Sequence, residues 1–411
     1  MSLNIGLLGC GTIGYQVALE LISKKFENLN LKKILVKDSK KIRENIDKSL
    51  FTTKAEEILQ DPNIDLIVEV LGNEQPALDY VLTAINQKKH VVTANKELMA
   101  KHGKKIFSLA LEQGVHVQME AAVAGGIPVI NTVQNDLKAN HITEIIGILN
   151  GTTNYILSEM KGGEEFEEAL KQAQEKGYAE PDPTNDLEGY DSKYKISILA
   201  SLAFRKYISP DSVSCVGIRS ISKKDFDLAK EMGFSIKLLG RAKLLNDKSL
   251  SINVSPYLIS LDNPLSQVDG VLNAVEIKGD LVGELMLIGA GAGPKPTASS
   301  ILGDILTIKN KGHKVFLPYN CKESFVITDK NISKFYLRLE VNDEKGVIRD
   351  IGCVLAENGL SIEAIVQKKE IDSACLTLIT HEIEEALFFS SLKSVEKLSS
   401  VKKISSNFRV L

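Results

Sequence analysis

Apolar residues in the first third of the chain fall in short runs at 4–8, 31–36, 64–70, 91–92 and 115–119. Amphipathic stretches, such as 77–85 and 104–112, separate them. Short apolar runs bounded by turn residues read as strands, and the 3.6-residue spacing between them reads as helices. Strict alternation of the two predicts a parallel, doubly wound sheet over residues 1–134. The pattern then changes. Strand-like runs at 142–149, 213–218, 236–245, 251–255 and 271–277 accompany helical stretches at 166–175, 195–204 and 225–232. This predicts an α+β layer over residues 135–318. From 335 onward the order is strand (335–341), turn, helix (347–357, stopped by Asn358-Gly359), strands at 361–367 and 374–380, helix (382–398) and strand (401–410). That βαββαβ order sets off a third domain over 335–411.

Composition excludes several classes. The chain has 411 residues, 44% hydrophobic and 25% charged, with a net charge of −3. That is ordinary for a globular protein of two or three domains. There is no basic stripe for a nucleic acid and no apolar run long enough to span a bilayer. Cys10, Cys215, Cys321, Cys353 and Cys375 have neither metal spacing nor a paired framework, and the six histidines are scattered. The start, MSLNIGLLGCG, enters a strand without a charged n-region. A cytoplasmic enzyme is the expectation.

The first apolar run leads into Gly9-Cys10-Gly11-Thr12-Ile13-Gly14 and then an amphipathic stretch to Ser23. Strand, glycine turn and helix is the context a dinucleotide fingerprint needs. Gly9 makes the turn, Gly11 admits the pyrophosphate, and Gly14 lets helix meet strand. The free N–H groups at the helix start, at Thr12 and Ile13, face the phosphates. After the second strand stand Lys37-Asp38-Ser39-Lys40-Lys41. An acid there would hold the ribose of NAD, and a base the phosphate of NADP. Asp38 and Lys37 compete for this role, and the lysines read equally as a solvated face. Lys96 follows the fourth strand, at the end of the sheet where ligands bind.

The stretch AQEKGYAEPDPTNDLEGYDSKYK, residues 173–195, carries Glu180, Asp182, Asp186, Glu188 and Asp191, and ends on Lys195. Pro181 and Pro183 fix their own φ and extend the residue before each. The segment reads as a stiff loop that projects carboxylates inward and delivers them to a helix. If that helix begins near Asp191, Asp191 and Lys195 share a face.

This run resembles the signature of the homoserine dehydrogenases, A-x-x-x-G-Y-A-x-x-D-P-x-x-D-L-x-G-x-D-x-x-x-K. Every fixed position is filled, from Ala173, Gly177, Tyr178 and Ala179 to Asp186, Leu187, Gly189, Asp191 and Lys195. The resemblance implies NAD(P)-dependent interconversion of L-homoserine and L-aspartate 4-semialdehyde. It implies Lys195 as proton donor and acceptor, with Lys96 and Asp191 beside it. Glu180 would hold the substrate ammonium, with Asp186, Tyr178, Thr152 and Gly151 of the shared NGTTNYIL segment. Thr93, in a T-x-N-K segment, and Gly293, in a GAGAG segment, would meet the cofactor. Backbone oxygens of Glu120, Val123, Gly125 and Ile127 would coordinate a monovalent cation such as Na+.

The C-terminal region resembles an ACT domain, with Asp343-x-x-Gly346-Val347 at its first turn. This implies a monofunctional enzyme without a preceding aspartokinase segment, a homodimer or homotetramer, and an amino-acid effector, threonine first. Two other readings are an amino-acid sensor with an inactive nucleotide domain, and another reductase of the aspartate pathway. The first sits poorly with Lys96 and Lys195 both in place. Of the second, the aspartate-semialdehyde type needs a catalytic cysteine, and no cysteine here sits in a suitable motif, while the dihydrodipicolinate reductase type lacks the loop from Glu180 to Lys195 that this chain carries.

Overall fold

Each apolar run of the first third becomes a strand. In the computed structural model these are β1 (Leu3–Leu8), α1 (Thr12–Ile22), β2 (Leu29–Leu35), β3 (Phe51–Thr52), α2 (Glu56–Leu59), β4 (Leu66–Glu69), α3 (Ala77–Asn86), β5 (His90–Thr93), α4 (Lys96–Gln113) and β6 (Val117–Gln118). The structure describes residues 2–23, 25–310, 315, 317–320, 323–328, 330–369 and 373–411. Met1 and Cys321 lie outside these. Residue contacts divide the chain into two units. The first holds Met1–Ile145, Tyr194–Ser212 and Asn273–Ser324. The second holds Ile146–Lys193, Val213–Leu272 and Phe325–Leu411.

The middle of the chain continues with α5 (Val129–Asn131), β7 (Ile142–Ile148), α6 (Gly151–Lys161), α7 (Phe166–Glu175), α8 (Thr184–Leu187), α9 (Tyr190–Ala203), β8 (Ser214–Cys215) and α10 (Lys223–Glu231). Then come β9 (Phe234–Asn246), β10 (Ser249–Ser260), β11 (Leu272–Gly279), β12 (Gly283–Ala290), α11 (Pro294–Asn310) and β13 (Val326–Ile327). The last part is β14 (Ile332–Val341), α12 (Val347–Glu357), β15 (Ile362–Lys369), β16 (Ala374–Thr380), β17 (Ile383–Glu384), α13 (Glu385–Val395) and β18 (Val401–Val410).

In the first unit a six-stranded sheet runs in the order β3-β2-β1-β4-β5-β6, and every pair is parallel. Order reverses between β1 and β4, so that gap is the topological switch point. One side of the sheet is covered by α1 and by α11, which arrives from far downstream. Val17, Ala18 and Leu21 of α1 pack with Ile301, Leu302, Ile305 and Ile308 of α11 over Ile5 and Leu7. This core puts the helix after the GAGAG segment against the nucleotide-binding sheet.

In the second unit β9 and β10 form a long antiparallel hairpin paired from Phe234↔Ser260 to Asn246↔Ser249. The edge of β10 continues into β18, β14, β16 and β15. The junction is a short parallel pairing, Tyr257↔Arg409 and Leu258↔Val410. β14 is buried on both faces. Phe335, Leu337, Leu339 and Val341 pack against Val347, Ile351, Leu355 and Phe388 of α12 and α13. On the opposite face Arg338 reaches α10. Its Nε donates to Asp225 Oδ1 at 2.7 Å and its Nη2 to Asp225 Oδ2 at 3.1 Å. Ser222 and Ser406 hydroxyls complete the cluster. Burial alone would raise the Asp225 carboxyl, but the Arg338 guanidinium and the two hydroxyls outweigh it and hold it below its ordinary value.

The elements differ from the sequence reading in several places. The helix expected at 195–204 starts at Tyr190, five residues early. The strand at 213–218 shrinks to Ser214–Cys215, while that at 251–255 extends over Ser249–Ser260. α6 and β12 were not anticipated. α6 begins with Gly-Thr-Thr-Asn, weak helix formers that the Asn150 cap and the burial of Thr152, Thr153 and Asn154 offset. β12 is mostly half-exposed or exposed, with no clear two-residue apolar alternation.

The Asp225–Arg338 pair predicts that Arg338→Ala lowers stability by about 3–5 kcal/mol in urea unfolding, because it strands a buried carboxylate. Since the folded carboxyl is depressed, the wild-type contribution is full above the unfolded value of about 4 and fades as pH falls through the lower folded value. The variant should lack that acid-side loss.

Candidate active site

The fingerprint loop is built by close backbone approach in the first unit. Gly9 has φ +105°, and a Cβ there would sit 2.9 Å from the carbonyl oxygen of Val70. A Cβ on Gly14 would lie 2.2 Å from the carbonyl oxygen of Gly9, so only a hydrogen lets α1 seat on β1. A Cβ on Gly11 meets nothing within 4 Å. Gly11 is the N-cap of α1 and offers no side-chain acceptor, so the first-turn amides are left for an external anion. This fits the pyrophosphate of a dinucleotide.

Beyond β2, Lys37, Asp38, Lys40 and Lys41 are exposed. Asp38 Oδ1 accepts from its own loop, at Lys40 N (2.8 Å). Arg43, which the sequence reading passed over, ties this loop to the fingerprint. Its Nε donates to the Cys10 carbonyl at 3.4 Å, its Nη1 to the carbonyls of Asp38 and Lys41, and its guanidinium lies 5.1 Å from the Phe51 ring centre. The usable signal was its place in the basic run after the second strand.

The ends of β4 and β5 are joined by a polar chain. Thr93 Oγ1 donates to Glu69 Oε2 at 2.5 Å and accepts from Asn95 N at 3.0 Å. Asn95 Oδ1 caps α4 through Leu98 N, and its Nδ2 donates to the Asn73 carbonyl. Lys96 is thereby the first residue of an 18-residue helix, half-buried. A cation at a helix N-terminus opposes the dipole, so its placement is not one that helix stability selects. Glu97, the next residue, accepts from Tyr194 Oη at 3.4 Å. The neighbours of Lys96 and Lys195 therefore touch.

The segment 120–127 turns sharply. Ala124 (φ +55°) and Gly125 (φ +50°) are consecutive left-handed residues. A Cβ on Gly125 would lie 2.4 Å from the Gly291 carbonyl oxygen, and Gly126 N donates to the Ala290 carbonyl at 3.0 Å. The GAGAG segment thus crosses this turn at backbone distance. Gly293 has φ +118°. The Glu120 side chain is committed to capping the following turn, accepting from Ile130 N and Asn131 N at 2.8 and 2.7 Å. Burial pushes its carboxyl up to about 7 despite these two donors. The Gly125 carbonyl accepts from Ser300 Oγ at 2.6 Å. Among the described residues no cluster of His, Cys, Asp and Glu could hold a metal ion.

In the second unit Asn150 organises the acidic segment. Its Oδ1 accepts from Thr153 N and so caps α6. Its Nδ2 donates to Asp186 Oδ1 at 2.6 Å and to Asp191 Oδ2 at 2.9 Å. One amide thus fixes two signature carboxylates and the start of α6. Thr152 Oγ1 donates to the Tyr178 carbonyl at 2.6 Å, and the Tyr178 ring meets Tyr155 edge-on. A Cβ on Gly151 would lie 2.9 Å from the Val271 carbonyl oxygen. The inward projection expected of the whole loop is corrected here. Glu180 and Asp182 are exposed and Asp186 half-buried; only Asp191 is buried. Asp182 turns back on Thr184, and α8 takes up the middle of the loop, so the prolines shape a surface excursion. Asp191 and Lys195 lie four residues apart on α9, both buried.

A parallel sheet in this order with a glycine fingerprint at its switch point is the architecture of a dinucleotide-binding domain, the kind found in NAD(P)-dependent oxidoreductases. Residues 9–120 match the homoserine dehydrogenase NAD-binding domain, 128–306 homoserine dehydrogenase, and 335–399 the ACT domain. The chain belongs to the homoserine dehydrogenase family. It is similar to a homoserine dehydrogenase of Synechocystis sp., 39% identical over 435 aligned positions that cover all of both chains. The crystal structure of a homoserine dehydrogenase from Thiobacillus denitrificans superposes with a TM-score of 0.92 at 36% identity, covering 100% of this chain and 98% of that one. A hyperthermophilic archaeal homoserine dehydrogenase in complex with NADPH superposes with a TM-score of 0.65 at 26% identity, covering 76% of this chain and all of the other. The chain is an NAD(P)-dependent oxidoreductase. Among the described residues no helix is long and apolar enough to cross a membrane.

The glycine geometry predicts opposite outcomes for two alanines. Gly11→Ala should fold within about 0.5 kcal/mol of wild type. It should weaken NADPH about tenfold or more, since the added methyl occupies the phosphate approach. Gly14→Ala should cost about 1–3 kcal/mol by overpacking. Thermal melts and NADPH fluorescence titration measure both.

Proposed function

We propose that Lys195 moves the proton in the interconversion of L-homoserine and L-aspartate 4-semialdehyde by this homoserine dehydrogenase. The nicotinamide cofactor supplies or accepts the hydride at the aldehyde carbon. In reduction the Lys195 ammonium protonates the forming alkoxide; in oxidation the neutral amine takes the hydroxyl proton. Asp191, one turn earlier on α9, favours the ammonium, and a second lysine, Lys96, favours the amine by like-charge repulsion. Glu180 binds the substrate ammonium, helped by Asp186, Tyr178, Thr152 and Gly151. The observation that carries this reading is the complete signature ending in a buried lysine on the helix that holds Asp191. Removing the amine in Lys195→Ala should cut kcat by about 10²–10⁴-fold while NADPH still binds. Near-wild-type turnover would end the assignment.

The cofactor contacts fall to Gly9, Gly11, Thr12, Ile13, Gly14, Thr93, Lys96 and Gly293. We read Lys37 as a contact to the 2′-phosphate of NADP. The exposed lysines around it support this, as does the NADPH bound by the archaeal relative. Lys37→Ala should raise KM for NADPH severalfold more than for NADH. Equal changes for the two cofactors would return the lysines to a solvated face. We also read the carbonyl oxygens of Glu120, Val123, Gly125 and Ile127 as ligands of a monovalent cation, Na+; the consecutive left-handed residues 124–125 give this segment the sharp turn such a site needs.

We further read the chain as three domains, 1–134, 135–318 and 335–411, acting in the cytoplasm as a homodimer or homotetramer. The ACT domain binds an amino acid, threonine first, beside the Asp343–Val347 turn. Gly346, at φ +99°, supports close approach of a ligand to that turn.

A further inference from the structure

Lys237 lies on β9, opposite Tyr257 of β10, and is only 1% exposed. No role in the reaction has been given to it. A methionine would fill much the same space without the cost of drying an amine, and burial does pull this amine below its ordinary pKa. Stability therefore does not account for a lysine here, and its partners must.

The Lys237 Nζ donates to Asp269 Oδ1 at 2.7 Å, to the Val268 carbonyl at 2.6 Å and to Asn154 Oδ1 at 3.1 Å. A lysine head group offers three donors, and these contacts use all of them. Asn154 stands on the first turn of α6, and its amide is used from both ends. Its Oδ1 accepts from Lys237, while its Nδ2 donates to the carbonyls of Val268 and Leu272 at 3.0 and 3.1 Å. One turn on, Ser158 Oγ donates to the Asn154 carbonyl and accepts from Gly270 N at 3.0 Å. Lys161 takes the other Asp269 oxygen at 2.9 Å. The loop 266–272 is thus stapled along α6, and Lys237 joins both loop and helix to β9.

The staple has a consequence at the start of α6. Val271 lies between the two carbonyls that Asn154 holds. Its own carbonyl oxygen comes so close to Gly151 that a Cβ there would lie 2.9 Å away. Asn150, the residue before, grips Asp186 and Asp191. The first turn of α6 therefore has two anchors, the acid pair at Asn150 and the stapled loop at Gly151 and Asn154. Thr152 stands between them in the chain. Buried polar groups that satisfy one another hold a single arrangement, where an apolar contact allows several.

We propose that Lys237 is a positioning residue for the substrate. Through Asn154 and the loop 266–272 it fixes the backbone of Gly151 and Thr152 where L-homoserine is bound. This rests on the reading that Gly151 and Thr152 meet the substrate. The three contacts make the clamp, whatever the charge of the amine.

The test is Lys237→Met in the full chain, with KM for L-homoserine, kcat and the dissociation constant for NADPH measured together. KM should rise about tenfold or more, while kcat stays within about threefold and Kd for NADPH within about twofold of wild type. A merely structural lysine would leave KM alone or shift KM, kcat and Kd together, and either result overturns the proposal. The Asp269 side chain is 43% exposed, so Asp269→Asn tests the same clamp should Lys237→Met not fold. It weakens one of the three contacts and should raise KM about threefold with Kd for NADPH unchanged. An unchanged KM overturns the proposal equally. Thr152→Val separates the proposal from the reading beneath it. If that variant raises KM and Lys237→Met does not, the lysine is structural and the substrate helix stands. If neither raises KM, the substrate role of α6 falls, and the proposal falls with it.

Discussion

The contact between the Gly14 Cα and the carbonyl of Gly9 is the constraint on which the first unit depends. With no side chain between them, α1 sits directly on the sheet at the one gap where strand order reverses. That seating brings the first-turn amides to the mouth of the gap and puts Val17, Ala18 and Leu21 where α11 can cover them. The helix after the GAGAG segment thereby joins the nucleotide-binding core. The glycines at 125 and 291 serve the same end at a second crossing, where two backbones pass with no room for a Cβ. Nucleotide site, the turn at 124–125 and the distant glycine segment are thus one construction of close backbone approach.

What could be read in the chain followed from how local its cause was. Strands β1, β4 and β5 were legible because parallel strands buried on both faces give apolar runs, while β2 is fully buried only at its two ends, Leu29 and Ile34-Leu35. The fingerprint was legible because its glycines answer to their own neighbours. The ACT-like region was legible because β14 and its helices keep clean periods, and the turn at 342–346 and the stop at Asn358-Gly359 mark the boundaries. α6 was hidden, since Gly151, Thr152 and Thr153 disfavour a helix and only the Asn150 cap and its burial decide otherwise. Arg43 and Glu69 were passed over for a related reason. Their meaning lies in partners supplied by other strands and loops, such as Cys10 for one and Thr93 for the other.

The acidic segment shows the limit of reading a motif as geometry. Its spacing correctly put Asp191 and Lys195 a turn apart, because α9 starts at Tyr190. It did not reveal that the carboxylates part company. Asp186 and Asp191 are gathered by one amide of Asn150, while Glu180 and Asp182 face outward. A spacing rule applies within a helix; across a proline-rich loop the side chains answer to whatever the loop packs on. Asn150, twenty-odd residues before the motif, is what converts two of its acids into a fixed pair.

β14 carries aromatic and aliphatic residues on one face and the Arg338–Asp225 contact on the other, both buried. A strand of this kind has no spare side. Insertion or loss of one residue would send the guanidinium among the phenylalanines and the apolar row toward Asp225, so frame changes there are closed to natural variation. The loop at 342–346 has no such double obligation. If lineages of this enzyme have come to answer to different small molecules, the record of that divergence should be written in the loops around β14, with the strand itself kept as an inherited spine.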